Sequence, residues 1–289
     1  ATTDVDSAVI IGALAGGANM DSGADGTVAV GSSALAALTS GANNTAIGYQ
    51  CGDAMTDSAY MTLLGNNAGG AITTGSDHSV IIGNYAGVGG AAAMAGCVVV
   101  GSNAMNSTGA NAQTGTIAIG YNALTALTSG AGNTAVGYQA LDACQTGGNN
   151  TAIGYNALSA HTGSDNTAIG AEAGILTTGS DQVLIGGGAG AALTSGATNT
   201  AIGRRALQTA TTALNNVAVG KSAMEDVKAA VAVDGCVAIG LDAIKGNSSN
   251  TTDINNTVAI GTSALTALTT GANNLAIGYK ASSGVTTGV

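Results

Sequence analysis

Apolar and polar positions recur along this chain with a fixed rhythm. A tetrad of the form x-Ala-Ile-Gly appears sixteen times between Gly12 and Gly278, at spacings of 16 to 21 residues and most often 17. Self-similarity at a constant period marks a stacked repeat architecture. Positions are counted here from each repeat glycine. The residue just before it is Ile or Val in fifteen repeats, with Leu64 the exception. The residue three before it is Val, Ile or Thr in fifteen, with Leu275 the exception. Two β-branched columns two residues apart form one face of a short strand, because side chains alternate across it. The residue between them, usually Ala, points to the other face.

Beyond the glycine, the third residue is Ala in fifteen repeats and Cys51 in the other. The fourth is Leu, Met or Ile in nine, Gly in six and Ser282 in one. A polar turn follows, as in Thr39-Ser40-Gly41-Ala42-Asn43-Asn44. Gly and Asn there supply the left-handed backbone that tight turns require. Each repeat therefore predicts a strand, a glycine bend, a second short apolar segment and a turn, which is one coil of a solenoid. A helix would carry apolar residues at i, i+3, i+4 and i+7 over ten or more residues, and here glycine interrupts every apolar run. The expectation is an all-β parallel β-solenoid: one continuous domain over 1–289 of about sixteen coils, open at both ends.

A packing rule is also legible. In four coils the residue two before the glycine is large and the residue four after it is Gly, as in Leu63/Gly69 and Ile81/Gly87. In eight the sizes reverse, as in Ala118/Leu124 and Ala152/Leu158. Four coils, Ala46/Gly52 and Val99/Met105 among them, follow neither arrangement. Exchange of bulk between two positions implies one shared pocket, because tight interiors penalise both cavities and overpacking. The pocket lies either within one chain or between chains.

Composition supports a thin cross-section. The chain has 47 glycines and no proline, phenylalanine or tryptophan, so Ala, Val, Ile and Leu carry most of the apolar content. Missing proline suits coils whose N–H groups all enter ladders. Collagen needs glycine at every third residue, and disorder needs low hydrophobicity with high charge. Only 8% of these residues are charged and 45% are hydrophobic. No apolar run of about 18 residues is present, so no membrane span is expected. The net charge of −10 disfavours nucleic acid, whose phosphates need clustered Lys and Arg. That charge is unevenly spread. Residues 1–203 hold eleven acids and no base, whereas residues 204–289 hold six bases and five acids. Drift in solvated turns explains this, as does contact of the two ends with different surroundings.

Stretches such as Asn150-Thr151-Ala152-Ile153-Gly154-Tyr155-Asn156-Ala157-Leu158 resemble the head repeats of trimeric autotransporter adhesins. They also look like repeats of phage and virus tail-fibre proteins. The resemblance implies a left-handed parallel β-roll with three chains around one axis. The coils here are longer than the adhesin pattern, chiefly in the turn. No coiled-coil stalk, membrane anchor or self-cleaving chaperone domain is visible in the sequence. Small coils with Ala on one strand face enclose little core, and small side chains let backbones approach at an axis shared between chains. A homotrimer is therefore expected, with a monomeric three-sided β-helix as the alternative.

Candidate chemistry is sparse. Cys51, Cys97, Cys144 and Cys236 fall in coils that are not neighbours. A disulfide needs Cα atoms within ~7 Å, so these read as small packed residues, or as contacts between identical thiols around an axis. His78 and His161 fall in turns without a zinc-type cluster and read as solvated. Asp21-Ser22-Gly23-Ala24-Asp25-Gly26 faintly suggests a calcium loop but lacks a downstream bidentate Glu. Turn chemistry explains it better, and nothing supports a site at Asp4 and Asp6. Tyr49, Tyr121, Tyr138, Tyr155 and Tyr279 each follow a repeat glycine. Such a row could stack on sugar, although packing beside the turn is the simpler reading. Gly186-Gly187-Gly188 belongs to a repeat column rather than a nucleotide motif.

These readings point to no enzyme, no cofactor and no metal site. They indicate a structural fibre or adhesin shaft, extracellular or virion-borne, that spaces or presents a binding tip and meets a host or cell surface through another segment. The alternatives are a subunit of a self-assembling extracellular filament and, more weakly, an ice- or sugar-binding solenoid. Thr and Val are mixed in the column that an ice-binding array would keep uniform. The first repeat begins almost at once, at Val9, and the last turn, Thr286-Thr287-Gly288, copies Thr177-Thr178-Gly179. Continuation at both ends is therefore expected, through a longer chain, docking or end-to-end stacking. The chain does not open with Met, which reads as a processed or partial chain.

Overall fold

The computed structural model describes residues 6–17, 20–89, 94–107, 113–227, 233–246 and 253–288. Among the described residues sixteen strands of three residues each form, one at every tetrad and each ending just before its glycine. A single 3₁₀ turn at Ser22–Ala24 is the only helical element among the described residues. The architecture is an all-β parallel β-solenoid. The chain forms two compact units, 1–149 and 150–289.

In unit 1–149 the strands run from β1 (Val9–Ile11) through β4 (Thr62–Leu64) and β5 (Val80–Ile82) to β8 (Thr134–Val136). Each pairs in parallel and in register with the next, as in Leu63 opposite Ile81 and Ala118 opposite Ala135. In unit 150–289 they run from β9 (Thr151–Ile153) through β10 (Thr167–Ile169) and β11 (Val183–Ile185) to β16 (Leu275–Ile277). Thr151 stands opposite Thr167 and Thr167 opposite Val183 there, so each column of the repeat becomes a ladder.

Glycine is obligatory at the bend. Gly120 has φ +142°, and a Cβ there would lie 2.2 Å from the carbonyl oxygen of Gly137 in the next coil. A side chain would meet that contact as well as the strain of a left-handed backbone.

The core is narrow and is built from four columns. The residue two before the glycine is buried in every coil but the first, where Ile10 is exposed. Ala34, Leu35 and Leu38 are equally buried, at three, four and seven positions after their glycine. The alanine face of the strand is thus the inside of its own coil. This corrects the expectation that small residues line an axis between chains. The β-branched columns face outward instead.

The exchange of bulk occurs within one chain. Leu63 Cδ2 lies 3.2 Å from where a Gly69 Cβ would sit, and Ile81 Cδ1 lies 3.1 Å from that of Gly87. Two coils that break the same-coil rule are filled from their neighbours. A Gly52 Cβ would meet Leu63 of the next coil at 2.7 Å and Leu35 of the preceding coil at 3.0 Å. At Gly174 the same roles fall to Leu184 at 2.7 Å and Leu158 at 2.9 Å. The pocket is therefore a channel shared by successive coils, and conservation of volume acts along it rather than within single coils.

Many of the polar groups inside are paired along the stack. In unit 150–289 a ladder of side-chain amides runs along the fourth position before the glycine. Asn150 Oδ1 accepts from the Asn166 N–H at 3.0 Å, and Asn166 Oδ1 from the Gln182 N–H at 3.0 Å. Gln182 Oε1 then accepts from the Asn199 N–H at 3.2 Å, and Asn199 Oδ1 from the Asn216 N–H at 3.1 Å. Each step satisfies a backbone donor that would otherwise be buried unpaired, at a cost of ~1–3 kcal/mol.

Candidate interaction surface

The outward columns are the largest feature without an internal role. In unit 1–149 Ile47 is 40% exposed and Ile119 37%; in unit 150–289 Ile153 is 38% exposed and Ile169 37%. These side chains are β-branched because the backbone is extended there, and they sit one above another because the register is exact from coil to coil. Each unit thus presents a continuous apolar ladder on one face of its sheet. Contiguous apolar patches beyond a few hundred Å² are rare on monomeric soluble proteins and mark contact surfaces.

The tyrosine row lies outside as well. Tyr49, Tyr121, Tyr138, Tyr155 and Tyr279 are all exposed, and the rings of Tyr121 and Tyr138 stack with centroids 5.4 Å apart. Those two rings pack on each other, and all five residues keep ring surface open to solvent.

The cysteines are buried, unbridged and in separate coils. Cys97 donates to the Gln113 carbonyl at 2.8 Å and Cys236 to the Ile254 carbonyl at 3.1 Å, in the column that Asn fills elsewhere. Burial pushes the Cys51 thiol up to about 12 and the Cys236 thiol up to about 11. Thiols so protonated are poor nucleophiles.

The two histidines differ. His78 is exposed and stacks on Tyr60 at 4.8 Å, as a turn histidine should. His161 is fully buried, which corrects the reading of a solvated ring. It stands seven after Gly154, in the repeat column whose members Leu127, Cys144 and Leu193 are also buried. Its Nδ1 lies 2.9 Å from the Thr177 carbonyl, which only accepts, so Nδ1 carries the proton. Its Nε2 accepts from Asn166 Nδ2 at 3.0 Å. Both contacts specify the neutral ring, and burial lowers its pKa, opposed by hydrogen bonds to the Thr177 and Gly163 backbone.

The acidic loop is turn chemistry. The Asp21 carboxylate accepts from the Gly23 N–H at 2.8 Å as the cap of the 3₁₀ turn, and Asp25 Oδ1 accepts from the Asp6 N–H at 2.8 Å. Asp4 lies outside the described residues. Among the described residues no group of three or more His, Cys, Asp or Glu side chains is placed to hold a metal ion. No helix there is long and apolar enough to cross a membrane.

One charged cluster was not legible in the sequence. Glu225 is buried and meets Arg205 at 3.2 Å and Lys245 at 3.9 Å. Burial alone would raise its carboxyl; a hydrogen bond from Ser222 and the charges of Arg205 and Lys245 outweigh it and hold the group low. The three residues come from three successive coils. Their sequence separations hide a contact that in-register stacking creates.

No family model and no curated protein matches the chain.

Proposed function

We propose that the chain is a structural, non-catalytic segment of an extracellular or virion-borne fibre. Three copies pack through their outward β-branched columns, and the stacked coils space or present a binding tip. The observation that carries this reading is the apolar ladder on the outer face of each unit's sheet. The periodicity of that ladder supports a second copy as the occupant. Coils recur every ~4.8 Å, and a surface with that repeat matches best a surface with the same repeat. A parallel copy of this chain supplies it. Coils this thin also gain from association, since a narrow cross-section buries little apolar surface of its own.

Sedimentation equilibrium of the intact chain tests the reading. The expected particle has three times the chain mass of 27.2 kDa. A single-chain mass at every concentration contradicts it. Imaging of the native particle then tells whether the fibre hangs from a virion or projects from a cell.

A further inference from the structure

We propose that unit 150–289 carries a binding notch for a small carboxylate-bearing sugar of the uronic acid type. The notch lies where the row of side chains following the repeat glycines is interrupted. That row reads Tyr155, Ala171, Gly187, Arg204 over four successive coils. In-register stacking places these residues one above another. The Glu172 N–H bonds the Tyr155 carbonyl at 2.8 Å, the Gly188 N–H that of Ala171 at 3.0 Å, and the Arg205 N–H that of Gly187 at 3.0 Å. Two successive positions lacking bulk leave a surface cavity of about 340 Å³. The small residues Ala171, Gly187 and Gly188 line it together with Glu172, Arg204, Arg205 and Gln208.

The backbone does not require glycine at position 187. A Cβ on Gly187 would meet nothing nearer than the Ala171 carbonyl oxygen at 3.8 Å. Its neighbour Gly186 differs, with φ +128° and a Cβ that would lie 2.6 Å from the Gly203 carbonyl carbon. The preceding coil carries Tyr155 in the same column. The cavity therefore exists because bulk is withheld at a position that accepts it.

The walls define the ligand. Arg204 and Arg205 are adjacent cations in a chain with only six Lys and Arg in 289 residues. Arg205 is tied to Glu225 at 3.2 Å, whereas Arg204 makes no ion pair with a carboxylate among the described residues. A guanidinium presents a planar fork that matches a carboxylate with two parallel hydrogen bonds. Glu172 in the same lining repels a bare anion and accepts from hydroxyls, and Gln208 both donates and accepts. A carboxylate met by the guanidinium and hydroxyls met by Glu172 and Gln208 describe an acidic monosaccharide.

Titration calorimetry of the intact chain with glucuronate, glucose and sulfate tests the proposal. Glucuronate is expected to bind saturably, and glucose and sulfate at least about tenfold more weakly, since each lacks either the carboxylate or the hydroxyl ring. Arg204→Gln should weaken glucuronate about tenfold or more, as expected for a lost charged hydrogen bond. Gly187→Tyr should abolish binding while the circular dichroism spectrum and melting temperature stay unchanged. Absence of saturable glucuronate binding overturns the site, as does sulfate binding equally well. If Gly187→Tyr perturbs the fold, Arg204→Gln decides alone, because it is a surface change; unchanged affinity in that variant also overturns the site.

Discussion

The two faces of each strand obey different rules. On the inner face, bulk is conserved while its location wanders. Ala118 faces Leu124, Leu63 covers both Gly52 and Gly69, and Leu184 covers both Gly174 and Gly190. On the outer face, residue type is nearly constant while the side chains remain substantially exposed, as at Ile153 and Ile169. Buried positions can trade volume with a neighbour because the channel wall is their only constraint. The outer column just before the glycine stays Ile or Val in all coils but one, although its side chains are only partly covered within the chain. Uniformity without burial is what a surface needs when it meets a partner of the same repeat.

The largest expected effect lies inside. Leu124 is fully buried, so Leu124→Ala should cost ~2–5 kcal/mol in denaturant unfolding. Adding Ala118→Leu should recover part of that loss. Strictly additive destabilisation would break the idea of a shared channel.

A subtler effect comes from the polar group in the same interior. His161 is held neutral in the fold, and its pKa is lowered by burial. The unfolded chain, with an ordinary value of about 6.5, takes up this proton first as pH falls. The stability that the neutral ring contributes is therefore complete above about pH 6.5. It is lost as pH falls through the lower folded value. His161→Leu, a residue this column holds at Leu127 and Leu193, should flatten that part of the stability profile. An unchanged slope in the variant would assign the pH dependence to other groups.

The smallest effect on the fold is expected outside. Ile169→Lys should change the stability of the dissociated chain by no more than about 0.5 kcal/mol, while reducing the sedimenting mass. A large loss of single-chain stability would mean that the outer face is held within the chain after all.

Much of this was legible in the repeat. Short strands with fixed columns and obligatory glycines announce themselves through period and residue type, and all sixteen strands fall on the tetrads. The sense of the strand was harder to read. Val and Ile are ordinarily core residues, and Ala is ambiguous, so hydrophobicity alone does not tell inside from outside. Only the width of the coil decides, because a narrow channel admits Ala opposite Leu. The column seven after the glycine escaped for another reason. It holds Leu38, Met55, Cys144, His161 and Thr177, which share burial but no chemical type. The Glu225 cluster and the notch at Gly187 depend on neighbours one coil away, which a column-by-column reading does not join.

In the proposed fibre the outward β-branched columns are covered by other copies of this chain. A cysteine placed there reports it directly, since the four native thiols are buried. The rate of maleimide labelling at Ile169→Cys, followed over a range of protein concentrations, should fall as concentration rises and recover on dilution. Fast labelling at every concentration, with the fold intact, would contradict the account.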